Sequence, residues 1–270
     1  MNRLGFIGGS DIAAILGVSS YKTAYQLYLE KLGLAQQDEE TEWQYWGKTL
    51  EPLVREHFKA STGFAVTQPD AIVHPQYPFL IGHLDGFIEQ ENAVLEIKCA
   101  SAFMRYKWAD DAIPLDYLLQ VAFYCALKGC DKAYFAVLFG GNTYEQRVYE
   151  HDPKLGEQII EAAVQFWWHI EMQIPPRLSS AADLTLHYPK SVSQDVVATA
   201  DVLEEVERLR ILKKQIALLE MGEQASKAAL MKVMGENDTL RDEQGFVLAT
   251  WKTRKDGKRI FQLKGMSDEN

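Results

Sequence analysis

The sequence predicts an α/β fold organised round a mixed β-sheet, and three observations carry that expectation. Segments of helical and strand character follow one another as helix, three strands, helix, two strands, helix. Two pairs of strand candidates are separated by only a few turn residues, Gln90–Glu91–Asn92 and Gly141–Asn142. Such hairpins are antiparallel and exclude a purely parallel, doubly wound sheet. Finally, 270 residues that are 47% hydrophobic and 24% charged have the length and composition to enclose a core, which excludes disorder and low complexity for the bulk of the chain.

The elements can be taken in order. SDIAAILG and a longer run from Tyr21 to Leu34 read as helices, closed by the acidic loop QQDEET. A stronger helix runs from about Gln44 to Thr62, with apolar positions at Leu50, Val54 and Phe58 and Gly63 as its stop. FAVTQPDAIVH, FLIGHLDGFIEQ and AVLEIKCA are strand candidates, the first two parted by Pro75 and Pro78. Ser101 to about Asp110 reads as helix, Pro114 breaks it, and LDYLLQVAFYCALKG forms the next, ending at Gly129. KAYFAVLFG and TYEQRVYEH make a hairpin, followed by a helix from Pro153 to about Gln173 carrying Trp167 and Trp168.

Residues 176–195, with Pro176 and a serine-rich stretch, read as a linker between a core over 1–175 and a C-terminal segment over 196–270. In that segment Val202, Val206, Leu209, Leu212, Ile216 and Leu219 recur at steps of three and four, the period of one long amphipathic helix. GFVLATWK and RIFQLK around Asp256–Gly257 read as a β-hairpin with Lys252, Arg254, Lys255, Lys258 and Arg259 gathered at its tip. The helix is expected to pack on the core or on a partner.

Charge is uneven. Twenty-eight basic and 38 acidic residues leave a net −10, yet residues 201–270 hold 13 of each sign, so the whole excess of acid lies in residues 1–200. Such a body repels phosphates unless cations are gathered on one surface or bound ions neutralise the carboxylates. Cys99, Cys125 and Cys130 are odd in number and lack metal-binding spacing, which argues for reduced thiols. No apolar run approaches the ~18 residues of a membrane span, and MNRLGFIGGSD has no signal-peptide order, so a soluble cytoplasmic protein without a membrane role is expected.

The chemistry centres on Asp85 and, after ten residues, Glu96–Ile97–Lys98. On a strand Glu96 and Lys98 share one face while Leu95 and Ile97 take the other. A two-residue turn at Gln90–Glu91 makes paired numbers sum to 181 and sets Asp85 opposite Glu96, an unfavourable pair unless a divalent cation joins them. A turn at Glu91–Asn92 instead pairs Asp85 with Lys98 as an ordinary salt bridge. Glu51 falls in the core-facing stripe Gly47, Glu51, Val54, Phe58, where a carboxylate needs a partner: either Arg55 or Lys48, or a metal shared with Asp85 and Glu96. Ser10, after Gly8–Gly9, is either a plain helix cap or part of a phosphate seat. Gln120 lies on a helix with Tyr117, Val121 and Tyr124 and is either solvated or aimed at the site.

Taken together in this order, RLGFIGGSDIAAILG, GKTLEPLVREHF, GHLDG, LEIKC and YLLQVAFYCAL resemble the YqaJ-type viral recombinase nucleases, relatives of lambda exonuclease in the PD-(D/E)XK superfamily, over roughly residues 3–173. The resemblance implies a restriction-endonuclease-like core and Mg²⁺-dependent hydrolysis of DNA, with Mn²⁺ as a substitute ion. It implies Asp85, Glu96 and the carbonyl of Ile97 as metal ligands, Glu51 as an additional carboxylate, Lys98 beside the attacking water, and Gln120 as the accompanying helical glutamine. Arg3, Ser10 and Arg105 fall at the pocket for a terminal 5′-phosphate. The expected activity is 5′→3′ exonuclease action on double-stranded ends, by a ring-shaped homotrimer serving a single-strand annealing protein in phage or prophage recombination within a bacterial cell. An endonuclease or single-strand nuclease, and a non-catalytic DNA-binding scaffold, are the alternatives.

Overall fold

The computed structural model describes residues 3–35 and 41–264, without the side chain of Arg3. The acidic loop over 36–40 and the phosphate role expected of Arg3 lie outside the described residues. The chain divides into two compact units, up to Ser191 and from Val192.

In the first unit, a 3₁₀ turn Gly9–Asp11 leads into α1 (Ile12–Ile15), followed by α2 (Ala24–Lys31) and α3 (Glu42–Thr62). Thr41 starts α3 by accepting the Gln44 N–H, while the Gln44 side chain returns to the Thr41 N–H. Next come β1 (Ile72–Val73), β2 (Ile81–Gly82), β3 (Gly86–Ile88) and β4 (Ala93–Ala100). After a 3₁₀ segment over Ala102–Asp111 come α4 (Leu115–Lys128), β5 (Lys132–Phe139), β6 (Thr143–Glu150), α5 (Pro153–Met172) and α6 (Ala181–His187). The central sheet has the order β3-β4-β5-β6. Only β4 and β5 run parallel, joined by the α4 crossover that a parallel pair requires. The expected mixed sheet flanked by helices is present.

The two faces of this sheet have different covers. Val54 and Phe58 of α3 pack with Ala93, Leu95 and Ile97. Val94, Phe135 and Val137 pack in the larger core with Val121, Phe123 and the other inner residues of α4. Alternation along β4 therefore sends Glu96 and Lys98 to the α4 side.

Several strand expectations need correction. FAVTQPDAIVH contributes only β1, because Pro69 cannot donate to a ladder and just an isolated bridge, Thr67 to Phe87, forms before it. FLIGHLDGFIEQ is split, β2 pairing with β1 and β3 with β4, so His83–Leu84–Asp85 is the junction between two sheets. The expected linker also carries α6. Its Ser180 and Asp183 cap each other, the Thr23 hydroxyl donates to Asp183 at 2.6 Å, and Tyr25 meets His187 at 2.9 Å. Asp183 is fully buried. This segment is a strap on α2.

The second unit consists of α7 (Ala200–Met234) and the antiparallel meander β7 (Thr239–Arg241), β8 (Val247–Thr253) and β9 (Arg259–Leu263). At 35 residues α7 is about 52 Å long. Its last turn buries Met234. β8 and β9 are the expected hairpin; β7, three residues long, was not expected.

Candidate active site

The register decides the first question. Gly86 pairs with Leu95, Phe87 with Val94 and Ile88 with Ala93, so the numbers sum to 181 and Asp85 continues the ladder opposite Glu96. The turn is not the two-residue one: a 3₁₀ turn Glu89–Glu91 is closed by Asn92 in the left-handed region at φ 44°. The pairing of Asp85 with Lys98 is overturned.

At Asp85 the ladder passes from backbone to side chain. The Ile97 N–H donates to Asp85 Oδ2 at 2.7 Å, taking the place of the next strand bond. The Ile97 carbonyl leaves β4 on the same edge, since the two polar groups of one strand residue point the same way. Arg55 holds the Asp85 backbone, its Nε donating to the Asp85 carbonyl at 2.8 Å.

Glu96 is buried, with 2% of its surface exposed. Its Oε1 accepts from Lys98 Nζ at 2.6 Å, whereas Oε2 is buried with no hydrogen-bond partner. Lys98 also donates to Gln120 Oε1 at 3.1 Å and sits 4.6 Å from the centre of the Tyr117 ring. Gln120 in turn donates to the Tyr124 hydroxyl at 3.2 Å. Positions 117, 120 and 124 are steps of three and four along α4, so one helix face presents all three to Lys98.

Burial, and then the neighbouring Glu96, push the Asp85 carboxyl well above the usual aspartate range. Burial also raises Glu96, against the pull of Lys98. For Lys98, burial favours loss of the proton, but the charges and hydrogen bond of Glu96 and the charge of Asp85 outweigh it, and the net shift is upward. In this arrangement Lys98 donates to both Glu96 and Gln120.

Glu51 does not join the cluster directly. Its carboxylate is ion-paired with Arg55, the plainer of the two expected arrangements. The cause is the sheet: α3 packs on the Leu95–Ile97 face, while Glu96 and Lys98 face α4. The Glu51 charge nonetheless acts on both Asp85 and Glu96. Among the described residues, no group of three or more His, Cys, Asp and Glu side chains is arranged to hold an ion.

The donors fit a hard divalent cation even so. Two adjacent carboxylates, one with an orphaned buried oxygen, and a backbone carbonyl on the same edge are oxygen ligands of the kind Mg²⁺ takes, and that ion needs only one or two carboxylates alongside water and substrate phosphate.

The 5′-phosphate candidates divide. Ser10 is exposed in the turn Gly9–Asp11. A Cβ on Gly9 would lie 2.6 Å from the Tyr124 ring, so glycine is what lets this turn close on α4 one turn beyond Gln120. The helix cap is not Ser10, because Asp11 reaches back to the Gly8 N–H at 3.0 Å. Arg105 is engaged elsewhere, paired with Glu145 of β6 at 2.5 Å.

Sequence reasoning gave Arg55 as a partner of Glu51 but missed its bond to the Asp85 carbonyl, and it missed the contacts that Tyr117 and Tyr124 make with Lys98 and Gln120. Their spacing from Glu51 and Gln120 was the available signal. It also missed the buried pair Asp11–Lys31 at 2.7 Å, which ties the Ser10 turn to α2.

Comparison with known proteins gives the chain a family and fold neighbours. The family model described as the YqaJ-like viral recombinase domain matches residues 1–131. The uncharacterized protein YqaJ of Bacillus subtilis (strain 168) is 34% identical over 259 residues, covering 91% of this chain and 80% of that protein. Among solved structures, the alkaline exonuclease LHK-Exo of Laribacter hongkongensis aligns with a TM-score of 0.56 at 22% identity, over 64% of this chain and 91% of its own. A phage-related exonuclease from Haemophilus somnus 129PT aligns at 0.52 and 15% identity, over 63% and 95%. Those two establish the fold. The identity and coverage shared with the Bacillus protein, together with the family match, establish that the chain belongs to the YqaJ-like viral recombinase family.

Proposed function

We propose that this protein is a Mg²⁺-dependent nuclease that hydrolyses DNA phosphodiesters, acting as a 5′→3′ exonuclease on double-stranded ends. The observation that carries this reading is the buried, unpartnered Oε2 of Glu96 beside Asp85 and the Lys98 ammonium. A buried carboxylate oxygen without a partner costs stability, and a bound ion beside Asp85 would relieve that cost. Family membership and a fold shared with alkaline and phage-related exonucleases support it.

Asp85, Glu96 and the Ile97 carbonyl would hold the ion, with Glu51 adding negative charge from the α3 side. When bound, Mg²⁺ polarises the phosphate and acidifies a water. Mn²⁺ suits the same oxygen donors. The remaining work falls to the chain. Lys98, held by Glu96, Gln120 and the Tyr117 ring, keeps its proton and stabilises the charge that builds on the phosphate oxygens. Gln120 fixes Lys98 and is itself fixed by Tyr124. Arg55 holds the Asp85 backbone against the end of β3. The Gly9–Ser10 turn, set against α4 near Gln120, would meet a 5′-phosphate through Ser10, with Arg3 in the same role. A homotrimeric ring handing its 3′ single strand to an annealing protein completes the reading.

The test is digestion of a 5′-phosphorylated linear duplex labelled at either end, alongside a closed circle. The expected result is Mg²⁺-dependent release from 5′ ends, an intact circle, and no activity in Asp85→Ala or Lys98→Ala protein. Full activity in either variant contradicts the assignment, and cleavage of the circle replaces exonuclease with endonuclease.

A further inference from the structure

The five cations near the end of the chain do not form one group. Arg259 is committed to the fold of the second unit: its guanidinium stacks 3.6 Å from the centre of the Trp251 ring and donates to the carbonyls of Trp251, Gly235 and Asn237 at 3.1, 2.8 and 2.7 Å. The other four are exposed. Register places three of them. Thr253 pairs with Arg259 and Lys252 with Ile260, and the Arg254 N–H donates to the Lys258 carbonyl at 2.8 Å. Lys252, Arg254 and Lys258 thus share the face opposite Trp251, Arg259 and Phe261. Lys255 stands in the turn between them.

Two further features make this an available cationic surface. β7 pairs with β8 only as far as Thr250, so the stretch that carries the charges is a two-stranded ribbon free of a third strand. The acid within it, Asp256, accepts the Lys258 N–H at 3.0 Å and shapes the turn. Among the described residues, none of the four cations is ion-paired with a carboxylate.

We propose that the β8–β9 ribbon is a second DNA-contacting element, in which Lys252, Arg254, Lys255 and Lys258 neutralise backbone phosphates of duplex DNA without reading its sequence. The choice of DNA as occupant rests on the nuclease reading above; the choice of phosphate rests on charge complementarity in a chain of net charge −10. A two-stranded ribbon also has the cross-section that the major groove admits.

The experiment is binding of the full-length chain to a fluorescent duplex by anisotropy, in EDTA so that nothing is cleaved, across 50–200 mM salt. Each neutralised phosphate adds about 0.9 to the steepness of log affinity against log salt. The variant Lys252→Ala, Arg254→Ala, Lys255→Ala, Lys258→Ala is expected to flatten that slope by about 3–4, and Lys255→Glu alone by about 1 or more. Lys252→Arg, Lys255→Arg, Lys258→Arg together keep the wild-type slope. A wild-type slope in the four-fold variant, or in Lys255→Glu, overturns the proposal and leaves the ribbon to a protein partner. Cleavage of a short duplex at saturating concentration separates the two readings. Wild-type protein inactive under Mg²⁺ removes the nuclease reading whatever the slope does, whereas an active four-fold variant with a wild-type slope removes the ribbon alone.

Discussion

Among the described residues of the first unit, two lysines pair with a buried carboxylate, at 2.7 Å for Lys31–Asp11 and 2.6 Å for Lys98–Glu96, and the two pairs are built to different ends. Asp11 also accepts the Gly8 N–H, and Lys31 also donates to the Phe6 carbonyl at 2.7 Å. Both charges are spent within the protein, and the N-terminal turn is fixed as a result. At Lys98–Glu96 one carboxylate oxygen has no partner, a second acid stands opposite, and the ammonium is shared with Gln120 and a tyrosine ring. The first pair is closed; the second keeps binding capacity in reserve. A buried pair that closes its bonds specifies structure, and one that leaves them open invites a ligand, at some expense to stability.

Substitution should break this comparison cleanly. The largest effect is on activity: Glu96→Gln is expected to lower the rate of duplex digestion by on the order of 10²–10³ or more, while melting temperature falls less than in Asp11→Asn, because Asp85 and Gln120 remain beside the Lys98 ammonium. A parallel fall in both would make Glu96 structural, like Asp11. Next in size, Asp11→Asn or Lys31→Met should cost about 3–5 kcal/mol in denaturant unfolding, since each strands the other partner's buried charge. A cost below about 1 kcal/mol would show that the pair is not closed as described.

The smallest effect concerns the strap. Asp183 is buried, yet hydrogen bonds from Thr23, Ser179 and Ser180 outweigh the burial and hold its carboxyl below the ordinary value of 3.8. A depressed carboxyl contributes stability above the unfolded value, and that contribution is lost as pH falls through the folded one. Asp183→Asn should therefore cost about 1–3 kcal/mol at pH 7, with a penalty that shrinks below about pH 4. Urea unfolding of both proteins at pH 7 and pH 3 checks this; an unchanged gap at the two values contradicts it.

Much of the active-site ladder was legible because spacing narrows it: between β3 and β4 the distance from Asp85 to Glu96 left two registers, the observed pairing chooses one, and alternation sorts Glu96 and Lys98 from Leu95 and Ile97. Glu51 shows the limit. Helical phase told that it faces inward, but not which face of the sheet its helix would cover, and that face sets how near it comes to Asp85 and Glu96. The strap was hidden for another reason. Seven residues of α6 are too few to show a period between flanking prolines, and the only local sign was the Ser180–Asp183 capping pattern. Partner choice among polar groups, as with Arg105 and Glu145 forty residues apart, depends on tertiary placement that spacing does not contain.

The proposed role of the open oxygens of Asp85 and Glu96 is to take a divalent ion. It is tested most directly by thermal unfolding of the full chain in EDTA and in a Mg²⁺ or Mn²⁺ titration, wild type beside Glu96→Gln. Saturable stabilisation of the wild type is expected, about 2.7 kcal/mol at a hundred times the dissociation constant, and none in the variant. Equal responses from the two proteins, or no response from the wild type, would contradict it.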